Sequence, residues 1–68
     1  MEEIGKQIAE RRKKKGLSQE DLAEISGISP RTINSVEQGK ANPSVNVLSK
    51  MVKPLGFVVT LSERVTHE

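Results

Sequence analysis

LSQEDLAEISGISPRTINSVEQG, residues 17–39, is the stretch that decides the fold of this chain. Ser18 and Ser29 each stand where a helix can begin, because a serine oxygen accepts hydrogen bonds from backbone N–H groups of the first turn. Asp21 lies at capping-box spacing from Ser18. Pro30 follows Ser29, and its fixed φ angle suits the first position of a helix. The stretch therefore contains two independent helix starts.

Gly27 lies between these two starts. Without a side chain it can adopt the left-handed conformation that ends a helix and turns the chain within about three residues. The sequence therefore predicts helices over about 19–26 and 30–38, held at a fixed angle. The apolar faces for that contact are supplied by Leu22, Ala23, Ile28, Ile33 and Val36.

The second of these helices keeps a polar face. Its members are Pro30, Arg31, Thr32, Asn34, Ser35 and Gln38. Short polar side chains can hydrogen-bond to base edges and phosphates, and a guanidinium can bond guanine through two parallel hydrogen bonds. This composition indicates a helix that can lie in a groove of DNA.

At these spacings the chain resembles the helix-turn-helix domains of phage repressors and of bacterial xenobiotic-response-element-type (XRE-type) regulators. The resemblance runs from about Ile4 to Leu55 and is carried by Gly16-Leu17-Ser18-Gln19, Leu22-Ala23, Gly27-Ile28-Ser29, Ile33, Glu37, Gly39-Lys40 and Pro43-Ser44. It implies an all-α, repressor-like bundle of roughly five short helices that binds double-stranded operator DNA as a homodimer.

The resemblance also implies roles for single residues. Gln19 looks like the residue that touches a phosphate and braces a side chain of the recognition helix. The positions that usually face bases are Ser29, Pro30, Arg31 and Ser35, and those that usually contact the DNA backbone are Thr32, Asn34, Lys40 and Asn42. Pro30 departs from the family pattern, because many relatives place a hydrogen-bonding side chain there. It is expected to contact a thymine methyl group or to serve only the helix start.

Arg12 and Glu37 match a pair that forms an ion bridge in similar repressors. Such a bridge would link the first helix to the end of the recognition helix. Removing one partner of a partly buried pair can cost about 3 to 5 kcal/mol, because the other charge is left stranded.

Composition narrows the class of protein. The 68 residues suit one domain, and the hydrophobic residues, with Phe57 as the single aromatic, predict an aliphatic core between small helices. The absence of cysteine excludes disulfides and fits a reducing cytoplasm. No apolar run is long enough for a signal peptide or a membrane span. We therefore expect a soluble cytoplasmic protein.

The formal charge of +2 is unevenly distributed, since Arg11 to Lys15 form a basic run at the end of the predicted first helix. These positive side chains can stabilise the helix, because cations near its C-terminus interact favourably with the helix dipole. They can also add a non-specific attraction to a polyanion. The run alone does not decide between the two.

Enzymatic chemistry has little support in this composition. His67 is the only histidine and lies in the predicted tail, and there is no cysteine. We therefore expect no catalytic residues, no metal site and no cofactor.

The rest of the bundle follows from periodicity and breakers. A first amphipathic helix is predicted over 3–15, ended by Gly16. Ser44 can cap a fourth helix, and Pro54 should end or kink it near Val52 or Lys53.

The segment after Gly56 breaks the helical pattern. Its alternation predicts a β-strand over 57–62 that pairs with the same strand of a second copy. The residues assigned to dimerisation are Phe57, Val58, Val59, Thr60 and Leu61. The alternative is an extended tail packed on its own helices. The domain division is then 1–56 for the helix-turn-helix domain, 57–62 for the strand and 63–68 for a flexible tail.

This ending, PLGFVVTLSE over 54–63, is similar to DNA-binding antitoxins that partner HipA-type kinase toxins. The main hypothesis is a repressor of transcription that binds a palindromic operator as a dimer through the helix at 30–38. The alternative is an antitoxin that neutralises a kinase-like toxin and regulates its own operon.

Overall fold

The computed structural model describes residues 2–60 of the chain. They form α1 (Glu2–Lys14), α2 (Gln19–Ser26), α3 (Pro30–Glu37), α4 (Val45–Val52) and a 3-10 turn (Lys53–Leu55). The predicted all-helical class is confirmed. The described residues hold four α-helices rather than the expected five, because the proline at 54 lets α4 continue only as a single 3-10 turn. None of the helices in this part of the chain is long and apolar enough to cross a membrane.

The predicted helix starts are confirmed. Ser18 accepts a hydrogen bond from the backbone of Asp21 at 2.9 Å, and the Asp21 carboxylate accepts one from the Ser18 backbone at 2.9 Å. The hydrogen bond that the Ser18 backbone donates, and after it the Ser18 side chain, lower the pKa of the Asp21 carboxyl. Ser29 and Ser44 cap α3 and α4 in the same way, each accepting from a backbone N–H three residues on. The sequence signals at all three positions therefore act locally, as predicted.

Gly27 makes the turn between α2 and α3. Its φ angle is 75°, and its N–H donates to the carbonyl of Ala23 at 2.9 Å. The left-handed conformation is the one predicted for this position. It brings α2 and α3 into contact and so completes the helix-turn-helix unit.

The core lies between the four α-helices and the 3-10 turn. It is aliphatic, as predicted, and its buried members are Ile8, Leu22, Ile33, Val36, Leu48, Met51, Val52 and Leu55. Phe57 packs against this core from the side and is only partly buried.

Gly5 is a packing residue that the sequence analysis did not identify. A Cβ atom built on Gly5 would collide with the backbone oxygen of Val36 and would lie 3.0 Å from that of Glu37. These are main-chain atoms of α3, which cannot rotate away as a side chain would. Gly5 therefore lets α1 approach the last turn of α3 directly.

Arg12 and Glu37 hold the same two helices together by charge. The Arg12 Nε donates to Glu37 Oε2 at 2.7 Å and a terminal nitrogen donates to Oε1 at 3.0 Å, so the pair is bidentate. The two side chains are only 9% and 6% exposed. The Glu37 hydrogen bond raises the pKa of Arg12. A third hydrogen bond, from Arg12 to the carbonyl of Leu17 at 2.8 Å, fixes the loop after α1.

The described part of the C-terminal segment, residues 57–60, forms no strand. Phe57 and Val59 are partly buried against the core, whereas Val58 and Thr60 are exposed. The predicted alternation is therefore present, but in one chain these residues lie as an extended tail on their own helices. A lone strand has no ladder of backbone hydrogen bonds to join. Leu61 and the predicted tail at 63–68 lie outside the described residues, and the domain division stays a prediction.

Replacing Gly5 by alanine separates packing from helix propensity. Propensity alone would make Gly5→Ala more stable by about 0.5 to 1 kcal/mol. We expect instead a loss of about 1 to 3 kcal/mol, because the new methyl group meets main-chain oxygens. Urea unfolding measures the change, with Lys6→Ala at an exposed neighbouring position as the control. An increase in the stability of Gly5→Ala would contradict the close approach of α1 and α3.

Removing the guanidinium tests the ion pair. Arg12→Met is expected to lower the free energy of unfolding by about 3 to 5 kcal/mol, because the Glu37 carboxylate loses its charged partner while buried. Lys13→Met, the same type of change at an exposed position, is the control. Adding Glu37→Gln to Arg12→Met should recover part of the loss in the same unfolding experiment. Equal stabilities of Arg12→Met and Lys13→Met would show that the pair contributes nothing.

Candidate nucleic-acid interface

The helix α3 has two distinct faces. Ile33 and Val36 are fully buried and fix the helix to the core. Arg31, Asn34 and Gln38 are exposed, and their spacing of three and four residues places them along one side. The helix is therefore anchored from behind while a row of polar side chains faces outward.

The first turn of α3 is organised by its cap. The Ser29 hydroxyl accepts from the Thr32 backbone at 3.2 Å and donates to the Thr32 hydroxyl at 3.0 Å. Ser29 is thus engaged in holding the turn, while the Thr32 hydroxyl keeps its own proton for another partner. Pro30 and Arg31 are exposed beside it. Among the side chains described, those of residues 3–60, no carboxylate forms an ion pair with Arg31.

Gln19, the first residue of α2, connects the two helices through its side chain. Its amide nitrogen donates to Asn34 Oδ1 at 3.2 Å and to Glu37 Oε1 at 3.0 Å. Gln38 donates to the same Asn34 oxygen at 3.3 Å. A network of hydrogen bonds thus connects the buried ion pair of Arg12 and Glu37 to the exposed surface of α3. Gln19 thus bonds two side chains of α3, and the role at DNA expected for it stays a prediction.

The loop after α3 returns to the same surface. The backbone N–H groups of Lys40 and Ala41 donate to the Ser35 carbonyl at 2.9 and 3.2 Å. Ser35 itself is partly buried, and Lys40 and Asn42 are exposed. Hydrogen bonds to α3 thus fix the loop backbone that carries the two exposed residues.

The basic run divides into structural and exposed members. Arg12 is buried in its ion pair, and Arg11 donates to the Leu55 carbonyl at 3.0 Å with its guanidinium 4.2 Å from the centre of the Phe57 ring. The remaining members are exposed: Lys13, Lys14 and Lys15. These three lysines are therefore the fully exposed charges of the run, and Arg11, whose partners are neutral, also keeps its positive charge.

Gln38 lies on the polar face predicted from the sequence, but its hydrogen bond to Asn34 was not predicted. Its spacing of four residues from Asn34 on a helix is the signal that could have identified the contact. Gly5 had no comparable signal, because the backbone it approaches lies more than thirty residues away in the sequence.

Comparison with known proteins finds relatives that contain a helix-turn-helix. The family model described as helix-turn-helix matches residues 8–63. The chain is 41% identical over 59 residues to the HTH-type transcriptional regulator PuuR of Escherichia coli, covering 87% of this chain and 31% of that protein. It is 38% identical over 53 residues to the HTH-type transcriptional regulator y4dJ of Sinorhizobium fredii, covering 78% of this chain and 69% of that protein.

A eukaryotic relative matches a stretch of similar length. Multiprotein-bridging factor 1 of Candida glabrata is 45% identical over 53 residues, which is 78% of this chain and 35% of that protein. The chain thus spans about a third of the length of PuuR and of this factor, and most of y4dJ. With the capped helices, the left-handed glycine turn and the family match in agreement, the chain belongs to the XRE-type helix-turn-helix family of transcriptional regulators.

Proposed function

We propose that this chain is a sequence-specific DNA-binding repressor that places α3 in the major groove as one half of a homodimer. The observation that carries this proposal is the outward polar face of α3, held rigid by a buried apolar face and a capped turn. A helix that only covered the core would more often carry Glu and Lys pairs on its exposed side. Here that side carries Arg31, Asn34 and Gln38.

Arg31 is the proposed base-reading residue. It lies in the first turn of α3, the part of a recognition helix that comes nearest to base edges. An exposed guanidinium is free to donate two hydrogen bonds to the O6 and N7 atoms of guanine. Ser29, Pro30 and Ser35 are proposed to face neighbouring bases. Pro30 has no side-chain donor, so its contribution is contact with a thymine methyl group or the helix start itself.

A second group is proposed to contact the DNA backbone and set the register of the protein. Its members are Thr32, Asn34, Lys40, Asn42 and, by resemblance to the family, Gln19. Lys40 supplies a positive charge next to α3, and the exposed lysines at 13–15 add a non-specific attraction. These contacts raise affinity for every sequence but do not discriminate among bases.

The C-terminal segment is proposed to pair with its copy across a twofold axis. Phe57 and Val59 already face the core, so pairing through the edge of this segment would leave Val58 and Thr60 on the other face. A dimer of this kind would present two copies of α3 to successive major grooves, about 34 Å apart on a palindromic operator. Repression would follow because the bound dimer occludes a promoter.

The antitoxin alternative stays a prediction. The relatives described above are named as transcriptional regulators or as a bridging factor, and these names do not favour toxin neutralisation. A reading frame for a kinase-like toxin beside this one would favour the antitoxin function.

Base reading and backbone contact predict different effects of two substitutions. Arg31→Ala should lose about 1 to 3 kcal/mol of binding and relax preference at one base pair in each half-site. Lys40→Ala should weaken binding to all sequences by a similar factor and reduce its dependence on salt concentration. Fluorescence anisotropy with an operator selected from random DNA, and with its single-base variants, measures both. Unchanged ratios among operator variants for Arg31→Ala would refute its assignment as the base reader.

Dimerisation is tested by charge at an exposed valine. Val58→Lys is expected to weaken dimerisation, because the two copies of this short segment would then place two like charges on one two-stranded ribbon. Val45→Lys is the matched control, since Val45 on α4 is also exposed, 68% against 79% for Val58. Light scattering measures the mass, and binding to a full operator should fall while binding to a half-site stays the same. A Val58→Lys protein that dimerises as tightly as the Val45→Lys control would contradict this segment as the interface.

A further inference from the structure

The hydrogen bonds around Asn34 determine which polar group α3 offers to DNA. We infer that Gln19 is a positioning residue, which acts on DNA only by holding the Asn34 amide so that its NH₂ group donates to a phosphate. This inference rests on the proposed DNA-binding function. It differs from the role implied by resemblance, in which Gln19 touches a phosphate itself.

The direction of the first bond follows from the ion pair. The Arg12 guanidinium can only donate, and the Glu37 carboxylate can only accept. Gln19 therefore has to present its NH₂ group to Glu37, at a distance of 3.0 Å. The orientation of this amide is set by a buried charge and does not depend on how amide atoms are assigned.

That orientation passes to the next amide. The same nitrogen of Gln19 lies 3.2 Å from Asn34, so the atom it meets has to be the Asn34 oxygen. Gln38 also reaches this oxygen, at 3.3 Å, and therefore donates its NH₂ group. Turning the Asn34 amide over would lose both hydrogen bonds and place NH₂ groups against each other. The Glu37 carboxylate thus fixes the orientation of the Gln19 amide, and the Gln19 amide fixes that of the Asn34 amide at the surface of α3.

The remaining groups follow from the capacity of each amide. Both hydrogens of the Gln19 nitrogen are used, so its side chain has only an oxygen left, and this oxygen cannot donate to a phosphate. Both lone pairs of the Asn34 oxygen are used, which leaves two N–H donors on an exposed residue. Gln38 likewise offers an oxygen. Asn34 is therefore the member of this cluster suited to an anionic oxygen.

A double-mutant cycle separates action through Asn34 from direct contact. We expect Asn34→Ala to weaken operator binding about tenfold, by the same factor for each single-base variant. Gln19→Met, of similar size but without hydrogen bonds, should weaken binding by a smaller factor. The double variant should bind within about twofold of Asn34→Ala, because the coupled residues form one unit. Gln7→Met on α1 is the control for an added exposed methionine.

Asn34→Asp tests the same inference without removing the oxygen that Gln19 and Gln38 share. Its thermal stability should be close to that of Asn34→Ala or higher, whereas its operator binding should be weaker than that of Asn34→Ala. The carboxylate keeps both accepted hydrogen bonds but presents a negative oxygen to the phosphate. All binding is measured at a temperature where circular dichroism shows each variant folded.

The outcomes distinguish this inference from the proposed function. If the losses for Gln19→Met and Asn34→Ala multiply in the double variant, Gln19 contacts DNA by itself and the inference is wrong. If Asn34→Ala changes the ratios among operator variants, Asn34 reads a base and the inference is also wrong. If the unsubstituted protein binds no duplex even at low ionic strength, the proposed function fails, and the positioning role fails with it.

Discussion

The bidentate ion pair between Arg12 and Glu37 is the interaction on which the arrangement of the molecule depends. It lies almost out of contact with water and joins α1 to the last turn of α3. A buried pair of this kind contributes little net stability compared with an apolar pair, but it tolerates no loss of one partner. Its value here lies in geometry, since Glu37 also accepts from Gln19 and so orients the polar surface of α3.

Close packing of the main chain acts at the same contact. Gly5 brings α1 against the backbone oxygens of α3 within one turn of Glu37. A domain of this size has a small core, here made of aliphatic side chains. Such a core contributes little directional contact that would hold two helices at a defined distance. Charge and close approach together therefore set the position of α3 relative to the rest of the bundle. A recognition surface needs such rigidity, because contacts with base edges depend on small displacements.

The basic run and the C-terminal segment are connected in a way that their sequences do not indicate. Arg11 bonds the carbonyl of Leu55 and lies over the ring of Phe57, so one member of the run holds down the start of the segment. This use of Arg11 is structural, although its partners are neutral and its charge adds to that of the exposed lysines that follow it. Contacts within a single chain therefore already position the start of this segment.

The sequence by itself determined the local features of the protein. Serine caps, a proline at a helix start and Gly27 at the turn act within a few residues, so their effects are visible in the order of amino acids. The same holds for the polar composition of α3 and for the end of α4 near Pro54. Only the tertiary structure decided the contacts between distant residues, namely the space required at Gly5 and the hydrogen bonds that orient Asn34. Those features depend on the angle and distance between packed helices, which no local pattern specifies.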